Sequence, residues 1–430
     1  QMFCAVMAVF VLQARGTSAL MAGRSCANAF QTIRRNAHDK IFSELSPPII
    51  LQDADSELGT RPVHVNNHGP VSDHAFSVAP MMDYTDRHFR YLLRLLSSKA
   101  VLYTEMVGAS TLVHNPDIDR WLRLSDDVEN PVVLQLGGSD CEDLRTSVKR
   151  ASAYNYDEIN LNCGCPSDKV AGKGSFGATL MLDAKRVGQL CDAMAQECGK
   201  PITVKCRIGV DDQDSYEQLA EFVGTVSQTG GVEHFIVHAR KAILGGLSPE
   251  ENRRIPPIKY DHVYQLVADF PSLRFSMNGE VKTYEDVSEH LSRGLHGVMV
   301  GRSVIEQPWL WSEVDSRIYG LASDNVPSRR KVLEAYADYA EQEISRMLIK
   351  DPKYAPRLKR AILRHTANLF RGEPNGRKFR VVLDQQLNTP GRSPHEILQT
   401  ASGALFPETL DAGPGMKIRD AFGESISARA

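Results

Sequence analysis

The sequence predicts a (β/α)8 TIM barrel followed by a smaller all-helical C-terminal domain, and three observations predict it. First, from Asp73 onward eight short apolar runs, rich in β-branched residues, alternate with longer amphipathic stretches. Parallel neighbours need a crossover between them, so this alternation implies a parallel sheet, and eight repeats are enough to close it. Second, polar and reactive residues gather at the C-terminal ends of the runs: Glu105, Gln135, Asn162, Lys205, His238, Asn278 and Arg302. That rim is where barrel enzymes build their sites, and packing alone does not put a polar group at one strand end after another. Third, after Gly320 the alternation stops and only helical periodicity remains. A doubly wound open sheet is the rival, but no Gly-x-Gly-x-x-Gly turn follows the first run.

The elements follow in order. Residues 1–72 differ from the rest. An apolar run over 2–12 is too short to span a bilayer, and Arg15, Arg24, Arg34 and Arg35 follow with no acid before Asp39. The segment reads as a targeting or disordered N-terminal extension. Ala27-Asn28-Ala29-Phe30 suits a plastid signal, a start at Met21 leaves a mitochondrial one, and a plain extension leaves the chain in the cytoplasm. The barrel occupies 73–322, with strands expected at 76–79, 101–106, 132–136, 158–162, 202–207, 234–238, 274–278 and 297–301. The clearest barrel helices are 87–96, 142–153 and 184–197. A linker over 322–328 carries Asp324, Asn325 and Pro327. The helical domain fills 323–402, with helices at 326–350 and 356–370 and weaker ones from Lys378 and His395. Residues 403–430 hold Gly and Pro without a period and read as a loose tail.

Net charge is −3, so any site for nucleic acid must be a local patch. Residues 326–380 hold fourteen Lys and Arg against six Asp and Glu, a balance of +8. That basic helical stretch is what an RNA backbone requires. Arg329, Arg330, Lys331, Arg357, Lys359, Arg360, Arg364, Arg377, Lys378 and Arg380 are its candidate phosphate contacts, although a solvated helix face has the same composition. The eight cysteines do not form a disulfide framework. Only Cys163 and Cys165 lie close together, with no second pair or His pair spaced for zinc, so no metal is expected.

The sharpest stretch is Asn160-Leu161-Asn162-Cys163-Gly164-Cys165-Pro166-Ser167, followed by Gly172, Gly174, Gly177 and Ala178. A cysteine just past a strand, with proline next and a glycine-rich loop behind, is poised at the barrel mouth. A thiol that stays protonated at neutral pH can act as a general acid. A buried structural cysteine is the competing reading.

These residues carry a resemblance. The chain resembles the tRNA-dihydrouridine synthases over residues 76–380. Matching segments include Ser77-Val78-Ala79-Pro80-Met81-Met82-Asp83-Tyr84-Thr85-Asp86-Arg87-His88, Leu102-Tyr103-Thr104-Glu105-Met106, Gln135-Leu136-Gly137-Gly138-Ser139-Asp140, the Asn162 to Ser167 loop and Lys205-Cys206-Arg207-Ile208-Gly209-Val210-Asp211-Asp212. His238-Ala239-Arg240-Lys241 and Gly246-Leu247-Ser248-Pro249 favour the type that acts on U20 and U20a of the tRNA D-loop.

The resemblance implies an FMN-binding barrel, a helical tRNA-binding domain, and NADPH as electron donor. It implies hydride transfer from reduced FMN to C6 of uridine and a proton from a cysteine to C5. Cys165 matches that cysteine because it is the one followed by Pro-Ser. Pro80, Met81 and Met82 match the segment lining the flavin ring, and Gln135 its polar edge. Lys205 supplies charge near N1 and O2, and His238 matches another flavin position. Asn278, Gly279, Glu280, Gly301 and Arg302 follow the seventh and eighth strands, the usual phosphate site of this barrel. Asn162 matches a position near the target uridine, and holding the Gly-Cys-Pro loop is its alternative role. Arg253, Arg377 and Arg380 match tRNA contacts.

Two departures bear on the site. Glu280 stands where the family has a second glycine, and Glu250 where it has a lysine of the tRNA-binding signature. Two other functions compete. One is reduction of a free pyrimidine, which the basic helical domain argues against. The other is a tRNA-binding folding factor with little catalysis.

Overall fold

The computed structural model describes residues 72–416, except 126–127, 168–169, 171–175 and 322–326. The expected extension over 1–71, Gly172, Gly174, most of the linker and the end of the tail lie outside the described residues.

Eight parallel strands close into a barrel: β1 (Phe76–Val78), β2 (Val101–Tyr103), β3 (Val132–Gly137), β4 (Glu158–Cys163), β5 (Ile202–Arg207), β6 (His234–His238), β7 (Arg274–Asn278) and β8 (Gly297–Val300). Closure is explicit in the register, since β1 pairs with both β2 (Ser77 opposite Val101) and β8 (Phe76 opposite Val298). A two-residue strand, Val107–Gly108, adds onto the end of β3. Each strand leads to a helix: α1 (Arg87–Arg94), α2 (Ala109–His114), α3 (Cys141–Ala151), α4 (Ala184–Ala195), α5 (Tyr216–Gly230), α6 (Tyr260–Asp269), α7 (Tyr284–Ser292) and α8 (Arg302–Glu306).

Local sequence explains where these helices begin. Asp86, Asp140 and Asp183 cap α1, α3 and α4 through their carboxylates. Ser215 with Gln218, and Thr283 with Asp286, form reciprocal capping boxes on α5 and α7. Each such cap contributes about 1 kcal/mol by satisfying N–H groups that have no partner within the helix. Gly231 ends α5 at φ 65°, a left-handed position that suits glycine.

Alternation along the strands sorts their side chains. Val101, Tyr103, Val133, Ile236 and Met299 fill the lumen with Ala79. Opposite faces join the larger core beneath the helices.

Past the barrel, α9 (Arg329–Lys350), α10 (Ala355–Leu363), α11 (Gly376–Leu387) and α12 (Pro394–Ser402) form the helical region, with a 3-10 turn at Arg364–Asn368. One apolar core runs from the barrel into it through Tyr336, Tyr339 and Ile362. Polar ties fix the seam. The Tyr336 hydroxyl donates to the His88 carbonyl (3.1 Å), and His88 Nδ1 meets the Tyr339 hydroxyl at 2.7 Å. Glu343 pairs with Arg87 (2.6 Å) and Arg123 (3.1 Å).

The tail is a correction. Residues 403–412 do not hang loose. A last helix, α13 (Pro407–Asp411), buries Thr409 and Leu410, and Leu405 and Ala412 are buried beside it. The segment is too short for its period to show, but Pro407 starts a turn and Arg329 donates to the Thr409 carbonyl (3.3 Å). No helix among the described residues is long and apolar enough to cross a membrane.

Candidate active site

The sequence-predicted residues at the C-terminal rim converge on one mouth. Its centre is Cys165, two residues past the end of β4, which is held by its backbone and half-buried. The N–H groups of Gly164 and Cys165 both donate to Asn162 Oδ1, each at 3.0 Å. The Cys165 carbonyl accepts from the Ala178 N–H at 2.9 Å. Gly177 sits at φ 68°, where an added Cβ would lie 2.6 Å from the Cys165 oxygen, so only glycine fits this return of the loop. The thiol is therefore set at one point while its surface stays open. Cys163, by contrast, is fully buried, and burial pushes its thiol well above the usual range.

Behind the loop runs an amide relay. Asn162 Nδ2 donates to Gln135 Oε1 (2.8 Å), and Gln135 Nε2 donates to Asn160 Oδ1 (2.9 Å). Asn160 Nδ2 then donates to Thr203 Oγ1 (3.0 Å). Asn162 thus spends its oxygen on the cysteine loop. Gln135 keeps one N–H and one lone pair, on a side chain buried under the mouth.

The next strand makes the adjoining side of the mouth cationic, with Lys205 in register with Asn162. Lys205 Nζ donates to Asn278 Oδ1 (3.0 Å), and Asn278 Nδ2 donates to the Met299 carbonyl (2.8 Å). Burial, reinforced by Arg207, pulls the Lys205 ammonium down to about 8. His238 is buried at the end of β6, and burial with Arg207 and Lys205 nearby keeps its ring neutral. Gly279 is required twice over. Its φ is 123°, and an added Cβ would fall 2.9 Å from His238 Cδ2. Pro80 and Met81 are half-buried, Met82 and Tyr84 are exposed, and Met81 packs on the lumen cluster. Gly301 and Arg302 open α8, and Arg302 Nη2 donates to the Arg253 carbonyl (3.4 Å).

Glu280 stands at φ 56°, and its carboxylate pairs with the buried Arg240 at 2.7 Å. The departure from glycine is thus answered by an ion pair, at the cost of a left-handed residue with a side chain.

Among candidates for tRNA contact, Arg253 is exposed on the β6–α6 loop, within electrostatic reach of Cys165, Tyr84 and Arg302. Glu250 is exposed just before it. Arg377 and Arg380 are exposed on α11. Arg329 is a correction. It is buried, lies 4.5 Å from the Trp309 ring centroid and pairs with Glu373, so no phosphate can reach it. Arg330 and Arg360 pair with Asp411 and Asp384. Arg364 Nη2 donates to the Asp83 carbonyl at 2.6 Å.

Sequence reasoning missed Arg207 and Asn160. Arg207 Nε donates to the Gly164 carbonyl (2.8 Å), and its Nη1 to those of Lys241 (2.9 Å) and Asn252 (3.0 Å). It welds the cysteine loop to the loop after β6. A signal was available: Thr203, Lys205 and Arg207 alternate along β5, as Glu158, Asn160 and Asn162 do along β4, in strands that parallel barrels usually fill with apolar residues.

The mouth suits an anionic, flat cofactor. Lys205 is a half-buried cation whose hydrogen-bond partner is a neutral amide, with the positive charge of Arg207 nearby. Such a group is short of negative charge.

Fold and mouth together define a barrel enzyme with a clamped thiol at a cationic rim. The sequence places it further. Residues 77–403 match the family described as dihydrouridine synthase (Dus), and the chain belongs to that family. It is 44% identical over 335 residues to the tRNA-dihydrouridine(20/20a) synthase of Vibrio vulnificus, covering 78% of this chain and 98% of that one. The protein of that name in Escherichia coli K12 is 48% identical over 74% of this chain and 87% of its own. That in Synechocystis is 45% identical over 78% of this chain and 96% of its own.

Proposed function

We propose that this chain reduces uridine to 5,6-dihydrouridine in the tRNA D-loop, at U20 and U20a, with NADPH as electron source and FMN as cofactor. The observation that carries it is the clamped, half-exposed Cys165 beside a half-buried cation bonded to a neutral amide, in a chain of this family.

FMN, when bound, supplies a two-electron carrier between NADPH and C6 of the uracil. Pro80, Met81 and Met82 would line its ring, and Gln135 has the free donor and acceptor to meet the ring's polar edge. Lys205 supplies the positive charge that favours an anionic ring. His238, kept neutral, offers a hydrogen bond without adding charge. Asn278, Gly279, Gly301 and Arg302 would hold the phosphate. Glu280 leaves Arg240 neutralised there.

Cys165 does the acid chemistry. As C5 gains negative charge, the thiol S–H bond breaks and its proton forms the C5–H bond. The thiolate then regains a proton from solvent. Asn162 and Arg207 hold the thiol where that proton must go, which is the positioning such a step depends on.

The target uridine has to leave its stack to reach this mouth. Exposed Met82 and Tyr84 give a flat base apolar surface. Arg253, Arg377 and Arg380 are the proposed phosphate contacts, with Glu250 tempering that surface, and residues 323–402 act as the tRNA-holding domain. Organelle import directed by residues 1–72 belongs to the same proposal; a diffuse cytosolic signal from a fluorescent fusion would remove it.

The test pairs wild type with Cys165→Ala. Each is checked for FMN by absorbance, incubated with NADPH and unmodified tRNA, and read by mass spectrometry of nuclease fragments. Dihydrouridine at U20 or U20a from wild type, with a flavin-loaded but inactive variant, is expected. Wild type that binds flavin and tRNA yet makes no dihydrouridine would overturn the reading.

A further inference from the structure

The floor of the barrel, at the N-terminal ends of the strands, holds a second cluster that the reaction does not use. His74 lies just before β1, Glu158 opens β4 and His234 opens β6. Glu158 is in register with Val133, a lumen residue, and Val133 is in register with Tyr103. Glu158 therefore faces the lumen, as does His234, two residues before Ile236. One ligand-type atom from each of His74, Glu158 and His234 lies within 4.8 Å of the others. His74 Nε2 is 2.6 Å from Glu158 Oε1.

Two buried polar atoms here have no partner among the described residues. One is the other carboxylate oxygen, Glu158 Oε2; the other is the hydroxyl of Tyr103, in the same row of the sheet. A carboxylate this buried, with one oxygen bare, is costly unless a positive group meets it. Ser276 Oγ lies 2.8 Å from His234 Nε2 and fixes that ring. His296 stacks on His74 at 5.6 Å between centroids. Gly297 clears the space, for an added Cβ would stand 2.1 Å from the His74 carbonyl oxygen.

We propose that His74, Glu158 and His234 bind a divalent first-row transition ion, zinc foremost, as a tie across the barrel floor. Two imidazoles and a carboxylate are a zinc donor set, with bonds of about 2.0–2.2 Å and a water completing the tetrahedron. The ligand atoms need only small side-chain shifts to reach that spacing. His74, with 21% of its side chain exposed, gives the ion a way in. The site is structural, since it sits at the end of the barrel away from the thiol. A sequence search for metal among the cysteines passes over it, because its three ligands are 160 residues apart from first to last and none lies in a motif.

The experiment uses the full chain with any affinity tag removed, stripped with chelator and freed of flavin. Zinc is titrated and counted by elemental analysis, cobalt is added as a visible-absorbing probe of tetrahedral geometry, and the thermal midpoint is followed. Expected are about one tightly held zinc per chain, tetrahedral cobalt absorption, and a raised midpoint. His74→Ala and Glu158→Gln should each weaken binding by more than about tenfold and abolish the midpoint shift. Cys165→Ala should keep all three signals. If Glu158→Gln does not fold, His74→Ala decides alone, because that residue precedes β1 and is partly exposed. No retained zinc and no midpoint shift in wild type would overturn the proposal, as would zinc binding that both variants leave intact.

Discussion

Asn162→Ala separates two roles for one side chain. In the structure Asn162 makes three hydrogen bonds: two accepted from the Gly164 and Cys165 N–H groups at 3.0 Å, and one donated to Gln135 at 2.8 Å. Each contributes about 0.5–1.5 kcal/mol net. The residue is half-buried, so water recovers part of the loss. A total of about 2–3 kcal/mol is then removed from the poised form of the loop, roughly a 30- to 160-fold fall in its population. If Asn162 acts by holding Cys165, the loss falls on kcat, with flavin content and KM for tRNA unchanged. If it acts by touching the uridine or its ribose, KM rises as well. The assay is steady-state dihydrouridine formation across tRNA concentrations, followed by single turnover after pre-reduction. Asn162→Asp, which keeps an acceptor for both N–H groups, should recover more of kcat than Ala does. An Ala variant within about threefold of wild type in single turnover would refute the reasoning.

Other outcomes follow from the same geometry. The Lys205 ammonium titrates at about 8 when folded against 10.5 ordinarily, so between those values the unfolded chain binds more protons. Flavin-free protein should therefore gain stability as pH rises from about 8 toward 10.5, and Lys205→Met should flatten that gain in urea titrations compared side by side. Glu280→Gly should free Arg240 and relieve the left-handed backbone, raising affinity for FMN relative to riboflavin in fluorescence titrations; an unchanged ratio would mean that Arg240 does not face the phosphate. Asp86 caps α1 and meets His365 at 3.1 Å. Burial works to raise its pKa, but the His365 hydrogen bond and charge hold it well below 3.8, so its stabilisation is complete above that pH and fades below it. Asp86→Ala should cost about 2 kcal/mol in urea unfolding and Asp86→Asn, which still caps, less than about 1. Arg377→Glu with Arg380→Glu should weaken tRNA binding and flatten its salt dependence while leaving flavin content intact.

How much of this was legible in the chain can be argued residue by residue. Every barrel strand was, because a short β-branched run followed by a capped helix has few other readings. The rim was also legible, since Asn278 ends its strand and Gln135 and Lys205 lie two residues short of the ends of theirs. Asn162 was found with both roles open, because an amide that bonds its own loop reads the same in sequence as one that bonds a substrate. Arg329 misled for a similar reason. A basic residue at the start of a basic helix says nothing of the Trp309 ring beneath it. The packed tail escaped because α13 has five residues, too few for a period. The His74, Glu158 and His234 cluster depends on closure of the barrel, which no local pattern encodes.

The seam between the barrel and the helical region sets a fixed length. Arg364 grips the carbonyl of Asp83 and His365 holds Asp86, on the same loop that carries Pro80, Met81 and Met82. Tyr336 and Tyr339 lock the far side of α1. The surface proposed to hold the tRNA and the mouth proposed to receive its uridine are thus tied together by these contacts like the jaws of a caliper. On the proposed function, which nucleotide is modified would then depend less on reading its neighbours than on which one the folded tRNA holds out at that span.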